Sequence, residues 1–376
     1  MSLSKNNDEE ISKTRIVNLD FLRGFFIILA MDQHFTYYIN MWYVEYFRDS
    51  IALTSTYKIH FPMIGHQIAT DHFNHMLGLI FTPWVSQVYL TLAAFNLARK
   101  SQLLFKDELS AKLKMFALIF IFFFMENCIV APNFGQAISI YPIMLWMVVL
   151  AILSIAYSLL GVQAILILTV LSFFRWILPM EILSNFFQSI IIYNIHPGFE
   201  YDARLEYFFT SGCLGFIMGY VHYQKPNMKK LKDYYFFLMG IVLVAFYVAY
   251  GDPFVIDPAN AFMHEHDLAR TLSGTFYIIG IQAMVISAFL WMEKRSIRFN
   301  VPVISWVGMH SLLVFAFHRV FFVRILAPLI VMIGSLTGRT LSASTWELYT
   351  YVGITILVCY LIKKTHMGEI ILQKRG

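Results

Sequence analysis

The chain has 376 residues, 59% of them hydrophobic and only 14% charged, with a net charge of +5 and a mean hydropathy of +0.64. A soluble protein averages about half apolar and about a quarter charged residues, and a single soluble core stops growing at about 250–300 residues. The excess apolar surface must therefore face lipid, which excludes a soluble enzyme, a nucleic-acid binder and a disordered scaffold together.

The chain opens with a polar tail, residues 1–15, that has no apolar run ahead of a cleavage site. A spanning helix needs about 20 mostly apolar residues. By that rule ten spans follow, near 17–39, 74–98, 113–131, 137–157, 161–179, 205–223, 234–250, 269–291, 301–326 and 346–362. The expectation is an all-α polytopic membrane protein. One ten-helix domain covers 16–364, and a short tail covers 365–376. The two halves show no repeat. Cys128, Cys213 and Cys359 lie in or beside apolar stretches at spacings that make no metal motif, so they read as small core residues.

Charge gives the orientation. On this map one side of the membrane holds 20 of the 28 Lys+Arg, and the positive-inside rule places that side, with both termini, in the cytoplasm. The other side carries Arg48, Lys58, Arg175, Arg204, Arg270, Arg319, Arg324 and Arg339, almost all arginine. Arginine presents a rigid fork suited to carboxylate or phosphate. These residues read either as interfacial partners of acids such as Glu126 and Glu181, or as an outward site for an anionic acceptor.

The first span carries the most chemistry. Asp20, Arg23, Asp32 and His34 all fall within it or at its edge, and ionisable groups at membrane depth are costly enough to mark function by default. Arg23 and His34 are 11 residues apart, so on a helix they share a face about 16 Å apart along the axis. Asp20 sits one turn before Arg23 and can pair with it. Gly24 lets a neighbour or a ligand approach closely. The alternative is a charge network that only locks helices together.

The text LDFLRG at 19–24, with ten residues between Arg23 and His34, resembles the R-x10-H signature of the acyltransferase-3 superfamily of ten-helix membrane enzymes. LDFLRG…MDQH is especially similar to the periplasmic-glucan succinyltransferases and the heparan-α-glucosaminide N-acetyltransferases. A second stretch, from Trp306 through Gly308, His310 and Ser311 to Phe315, looks like the G-x-HSL-x-VF text of the glucan branch. Gln33 separates Asp32 from His34, where those relatives place the aspartate directly before the histidine. Residues 92–98 read LAAFNLA, where they more often carry a glycine.

The resemblance implies transfer of an acyl group, acetyl or succinyl, from cytoplasmic acyl-CoA to an extracytoplasmic glycan or glycolipid. Acyl transfer needs a base for the nucleophile and a donor for the developing oxyanion. His34 is the candidate base or acyl carrier, with Arg23 and Asp32 as the other catalytic candidates. Arg23, Asp20, Gly24, His310 and Ser311 are the candidate donor-binding set. His318, Arg319, Arg204 and Arg270 are the candidate acceptor-binding set. Glu126, deep in the third span, reads as a hydrogen-bonded partner for an arginine. No permanently bound cofactor or metal is expected; acyl-CoA is a co-substrate, and self-association is left open.

Weaker signals remain. The loops holding His60, His66, Asp71, His72 and His75, and His264 to Asp267, are rich in imidazole but lack zinc-site spacing. Trp42, Tyr43 and Tyr46 are aromatics near a span end and a weak platform for a sugar ring. The competing function is a transporter or flippase for an anionic or lipid-linked solute.

Overall fold

The computed structural model describes residues 16–37, 72–99, 107–130, 137, 140–173, 205–224, 229–251, 271–330, 332 and 345–365. Among these residues every regular element is helical. They are α1 (Val17–Tyr37), α2 (His72–Arg99), α3 (Asp107–Val130), α4 (Pro142–Leu160), α5 (Val162–Phe173), α6 (Leu205–Gln224), α7 (Lys229–Tyr250), α8 (Leu272–Lys294), α9 (Pro302–Met309), α10 (Ser311–Phe321) and α11 (Thr345–Lys364). Helix thus occupies each expected span, and α9 and α10 share the ninth.

Among the described residues six stretches are long and apolar enough to cross a membrane: α3, α4, α7, α8, α10 continued to Ile330, and α11. By its described residues the protein is a helical membrane protein. Its polar helix lies inside: α1 packs against α2, α8, α9, α10 and α11, and buries Leu19, Leu22, Phe26, Ile27, Met31 and Phe35. Outward-facing surface goes instead to α3, through Leu118, Phe122 and Met125, and to α7, through Val242 and Val248. Charged groups that lipid would reject are thereby enclosed by protein.

Local chemistry sets the helix ends. Pro142 opens α4 at a position where its missing N–H costs nothing. Gly161, with φ +67°, ends it and turns the chain into α5. The Thr271 side chain caps α8 by accepting from the Gly274 N–H at 2.9 Å.

Polar side chains clamp helices where water is scarce. The Ser211 hydroxyl on α6 donates to Gln87 of α2 at 2.6 Å, the Gln282 amide of α8 donates to Ser211 at 3.2 Å, and the Thr91 hydroxyl donates to Gln282. Asn18 at the start of α1 ties down the segment after α8. Its side-chain amide donates to the Ile297 carbonyl and its side-chain oxygen accepts from the Phe299 N–H, both at 2.8 Å. Its backbone N–H meets Glu293 at 2.9 Å. Lys294 pairs with Asp233 between α8 and α7.

Two close crossings position the site. On α6, Gly215 and Gly219 lie against the backbone of Thr91 and Phe95 on α2, where a Cβ would collide. Gly24 of α1 lies against Ile304 and Gly308 of α9, and Gly308 against the Asp20 carbonyl. What approaches Gly24 is therefore a neighbouring helix. The Gly24–Gly308 offset of 284 residues recurs in the His34–His318 contact, so α1 and the ninth span run parallel and in register.

The ninth span is a single helix by sequence, but the structure interrupts it twice. At His310 ψ is +28°, and both the backbone N–H and the ring Nδ1 converge on the Trp306 carbonyl, at 3.1 and 3.0 Å. A ring that competes for that carbonyl loosens the turn. A π-turn follows at Phe322–Leu326, where Phe322 stacks on Phe35 of α1 with ring centroids 4.1 Å apart. Inserted residues of this kind re-aim side chains and concentrate at functional sites.

Candidate functional site

His34 stands one turn from the C-terminal end of α1 and meets His318 of α10. His34 Nδ1 lies 2.8 Å from His318 Nε2, and the rings stack with centroids 5.1 Å apart. His318 Nδ1 lies 2.6 Å from the Phe315 carbonyl. A carbonyl oxygen only accepts, so that nitrogen carries the proton. With both rings neutral, His318 Nε2 is the acceptor, His34 Nδ1 is the donor, and His34 Nε2 holds the lone pair. One backbone carbonyl thus sets the tautomers of two rings, the way a third group orients a catalytic base. His318 is fully buried, whereas His34 is half-buried.

The residue after His318 is enclosed too. The Arg319 guanidinium donates to Glu126 and to Asn127 of α3, both at 3.2 Å, and lies over the Tyr141 ring at 4.5 Å. Arg319 is 4% exposed and Glu126 3%. The expected arginine partner of Glu126 is therefore Arg319. Arg319, a candidate for acceptor binding, has its fork engaged by α3 and Tyr141, an arrangement that can position the adjacent His318.

At the other end of α1, Arg23 donates to Asp20 at 3.0 Å, as the one-turn spacing suggests. Two further groups join them. The Arg99 guanidinium, at the end of α2, lies over the ring of Tyr223 on α6, 6.0 Å from its centroid. Arg23 and Asp20 are close enough to Tyr223 for their charges to act on its hydroxyl. Two guanidiniums and a phenol thus gather about 16 Å along α1 from His34. By sequence Arg99 is one more loop charge. Only the α2–α6 crossing carries it to Tyr223.

The remaining candidates fall elsewhere. Asp32 is buried, and its charge acts on Tyr349 of α11. His310 turns onto its own helix, its ring stacked 4.6 Å from that of Trp306, and Ser311 is the first residue of α10. Arg204 and Arg270 lie outside the described residues, as do Arg48, Lys58, Arg175, Glu181, Arg339, His60, His66, Asp71, the 264–267 run, Trp42, Tyr43 and Tyr46, together with the side chains of His72 and His75. Among the described residues no group of three metal-binding side chains gathers. Comparison with protein-family models, curated proteins and solved structures finds no match to this chain.

Proposed function

We propose that the chain is an integral membrane acyltransferase, moving an acetyl or succinyl group from cytoplasmic acyl-CoA to a hydroxyl or amine of an extracytoplasmic glycan or glycolipid. The observation that carries this reading is the Phe315 carbonyl–His318–His34 chain, which leaves the lone pair of a buried-helix histidine at Nε2. The R-x10-H text supports it independently.

In this reading Arg23 and Arg99 receive the phosphates of CoA, because a planar guanidinium suits phosphate oxygens. The pantetheine arm then follows α1 toward His34. The acceptor arrives from the opposite side, and His34 Nε2 takes its proton as oxygen or nitrogen attacks the thioester carbonyl carbon. Ten spans with both termini in the cytoplasm, in a bacterial cytoplasmic membrane, complete the picture. The parallel run of α1 and the ninth span, and of α2 and α6, suits that alternating map.

The test is thermal unfolding of detergent-purified protein with acetyl-CoA, succinyl-CoA and free CoA, for the wild type, Arg23→Ala and Arg99→Gln. Ligand at about 100 times its Kd should stabilise the fold by about 2.7 kcal/mol. Stabilisation by one acyl-CoA that falls in both variants supports the reading. No stabilisation of folded wild type by any CoA refutes it.

One observation favours the second reading, a transporter or flippase: the interruption of the ninth span at His310 beside α1. Transporters build binding sites at broken helices. Vesicle flux of an anionic solute without acyl transfer would decide for it.

A further inference from the structure

Phe315 is the hub of the histidine pair. Its ring lies 6.0 Å from that of His34 and 5.2 Å from that of His318. Two more rings close on it from other helices, Tyr89 of α2 at 6.0 Å and Trp146 of α4 at 6.3 Å, themselves 5.9 Å apart. The Tyr89 hydroxyl and the Trp146 indole N–H are both buried, and neither has a hydrogen-bond partner among the described residues. Native proteins satisfy nearly all such groups. Two unmet donors on one aromatic hub, beside the proposed base, mark a place where an acceptor atom belongs.

Helix direction sets which way these side chains lean. Side chains on a helix lean toward its N-terminus. Contacts of Thr91 and Phe95 with Gly215 and Gly219 make α2 parallel to α6, and those of Trp146 with Phe208 and of Tyr157 with Phe216 make α4 parallel to it as well. Arg99 and Arg23 both face Tyr223, while Tyr89 and His34 both face Phe315, which makes α2 antiparallel to α1 and so to α10. Tyr89 and Trp146 therefore lean one way, and His34, His318 and Phe315 lean the other. Both sets meet at the Phe315 ring.

We propose that Tyr89 and Trp146 are the hydrogen-bond donors to the carbonyl oxygen of the acyl group in transfer. This rests on the acyltransferase reading. As the acceptor's oxygen or nitrogen bonds to the thioester carbon, its proton passes to His34 Nε2. The carbonyl π pair moves to oxygen, and that oxyanion accepts from the Tyr89 O–H and the Trp146 N–H. Collapse reforms the carbonyl and breaks the carbon–sulfur bond. The thiolate of CoA leaves and takes the proton from His34. Neither donor gives up another hydrogen bond among the described residues to serve.

The variants are Tyr89→Phe and Trp146→Phe, each deleting the donor and keeping an aromatic ring. Purified protein is loaded with acetyl-CoA carrying 13C at the thioester carbonyl, and the carbonyl band is read by isotope-edited infrared difference spectroscopy. In the wild type the band lies below its position in free acetyl-CoA. Each variant moves it back part of the way and the double variant moves it further, while stabilisation by free CoA is unchanged. Release of CoA thiol falls about 10²–10³-fold in kcat per donor, as for loss of one oxyanion donor, with the KM for acetyl-CoA unchanged. Thermal stability of Tyr89→Phe without ligand is equal or higher, because an unmet polar atom has been removed with the ring kept; Trp146→Phe also opens a cavity and loses stability on that account.

A wild-type band at the free position, or a lowered band that both variants retain, overturns the proposal while leaving the acyltransferase reading standing. A fall in ligand-free stability of Tyr89→Phe also overturns it, since that donor would then serve the fold. Failure of wild type to bind any acyl-CoA defeats the reading beneath it.

Discussion

Replacing Glu126 by glutamine would expose how the histidine site is held. The substitution preserves shape and removes one charge from a pair whose side chains are 2% and 5% exposed. At the observed 3.2 Å, an effective dielectric of about 20 gives an attraction of about 5 kcal/mol. Breaking one side of a buried pair typically costs about 3–5 kcal/mol, because the surviving charge is stranded. Asn127 and Tyr141 still face Arg319 in the variant, so Glu126→Gln is expected near the lower end of that range. Arg319→Met strands Glu126 instead and should cost a similar amount. The double variant strands no charge, and what remains to satisfy is a neutral amide at 126 and that of Asn127. It should therefore lie within about 1–2 kcal/mol of wild type, far from the sum of the single losses. Equilibrium unfolding by detergent titration in bicelles, followed by circular dichroism, measures all four proteins in one cycle. If the single effects simply add, Arg319 is not held by Glu126, and the positioning role assigned to it fails.

Three other outcomes are expected. His318→Phe keeps an aromatic ring but releases the tautomer of His34; acyl transfer should fall about 10²–10⁴-fold in kcat, with stabilisation by CoA unchanged, and an unaltered rate would remove His318 from the mechanism. Gly308→Ala drives a methyl group into the Asp20 carbonyl and the Gly24 backbone, so α1 and α9 must separate; overpacking of this kind costs about 1–3 kcal/mol, and a variant as stable as wild type in the same detergent titration would refute the crossing. Asn18→Ala removes the side-chain bonds to Ile297 and Phe299 at about 1 kcal/mol each; its signature is faster amide exchange at Phe299, and unchanged exchange would show that the staple is not formed.

Composition and hydropathic runs were enough for the membrane class and for where helices lie, because lipid requires long apolar stretches with internally satisfied backbones. They were also enough to single out α1, since Asp20, Arg23, Asp32 and His34 stand out in an apolar run, and to pair Asp20 with Arg23, neighbours on one helix turn. Position along a chain does not say which faces meet. The ninth span looks continuous because nothing in its composition breaks a helix; the competition of His310 for a carbonyl and the π-turn against Phe35 are visible only in three dimensions. His318 was legible as a polar residue in an apolar span, but not as the partner of His34. That pairing follows from the Gly24–Gly308 crossing, which holds α1 and the ninth span in one register across 284 residues. Tertiary packing alone likewise joined Arg319 to Glu126, brought Arg99 to Tyr223, and set Tyr89 and Trp146 around Phe315. Apolar pattern encodes burial, which each helix expresses by itself; partnership depends on close approach between helices, and only the assembled bundle decides it.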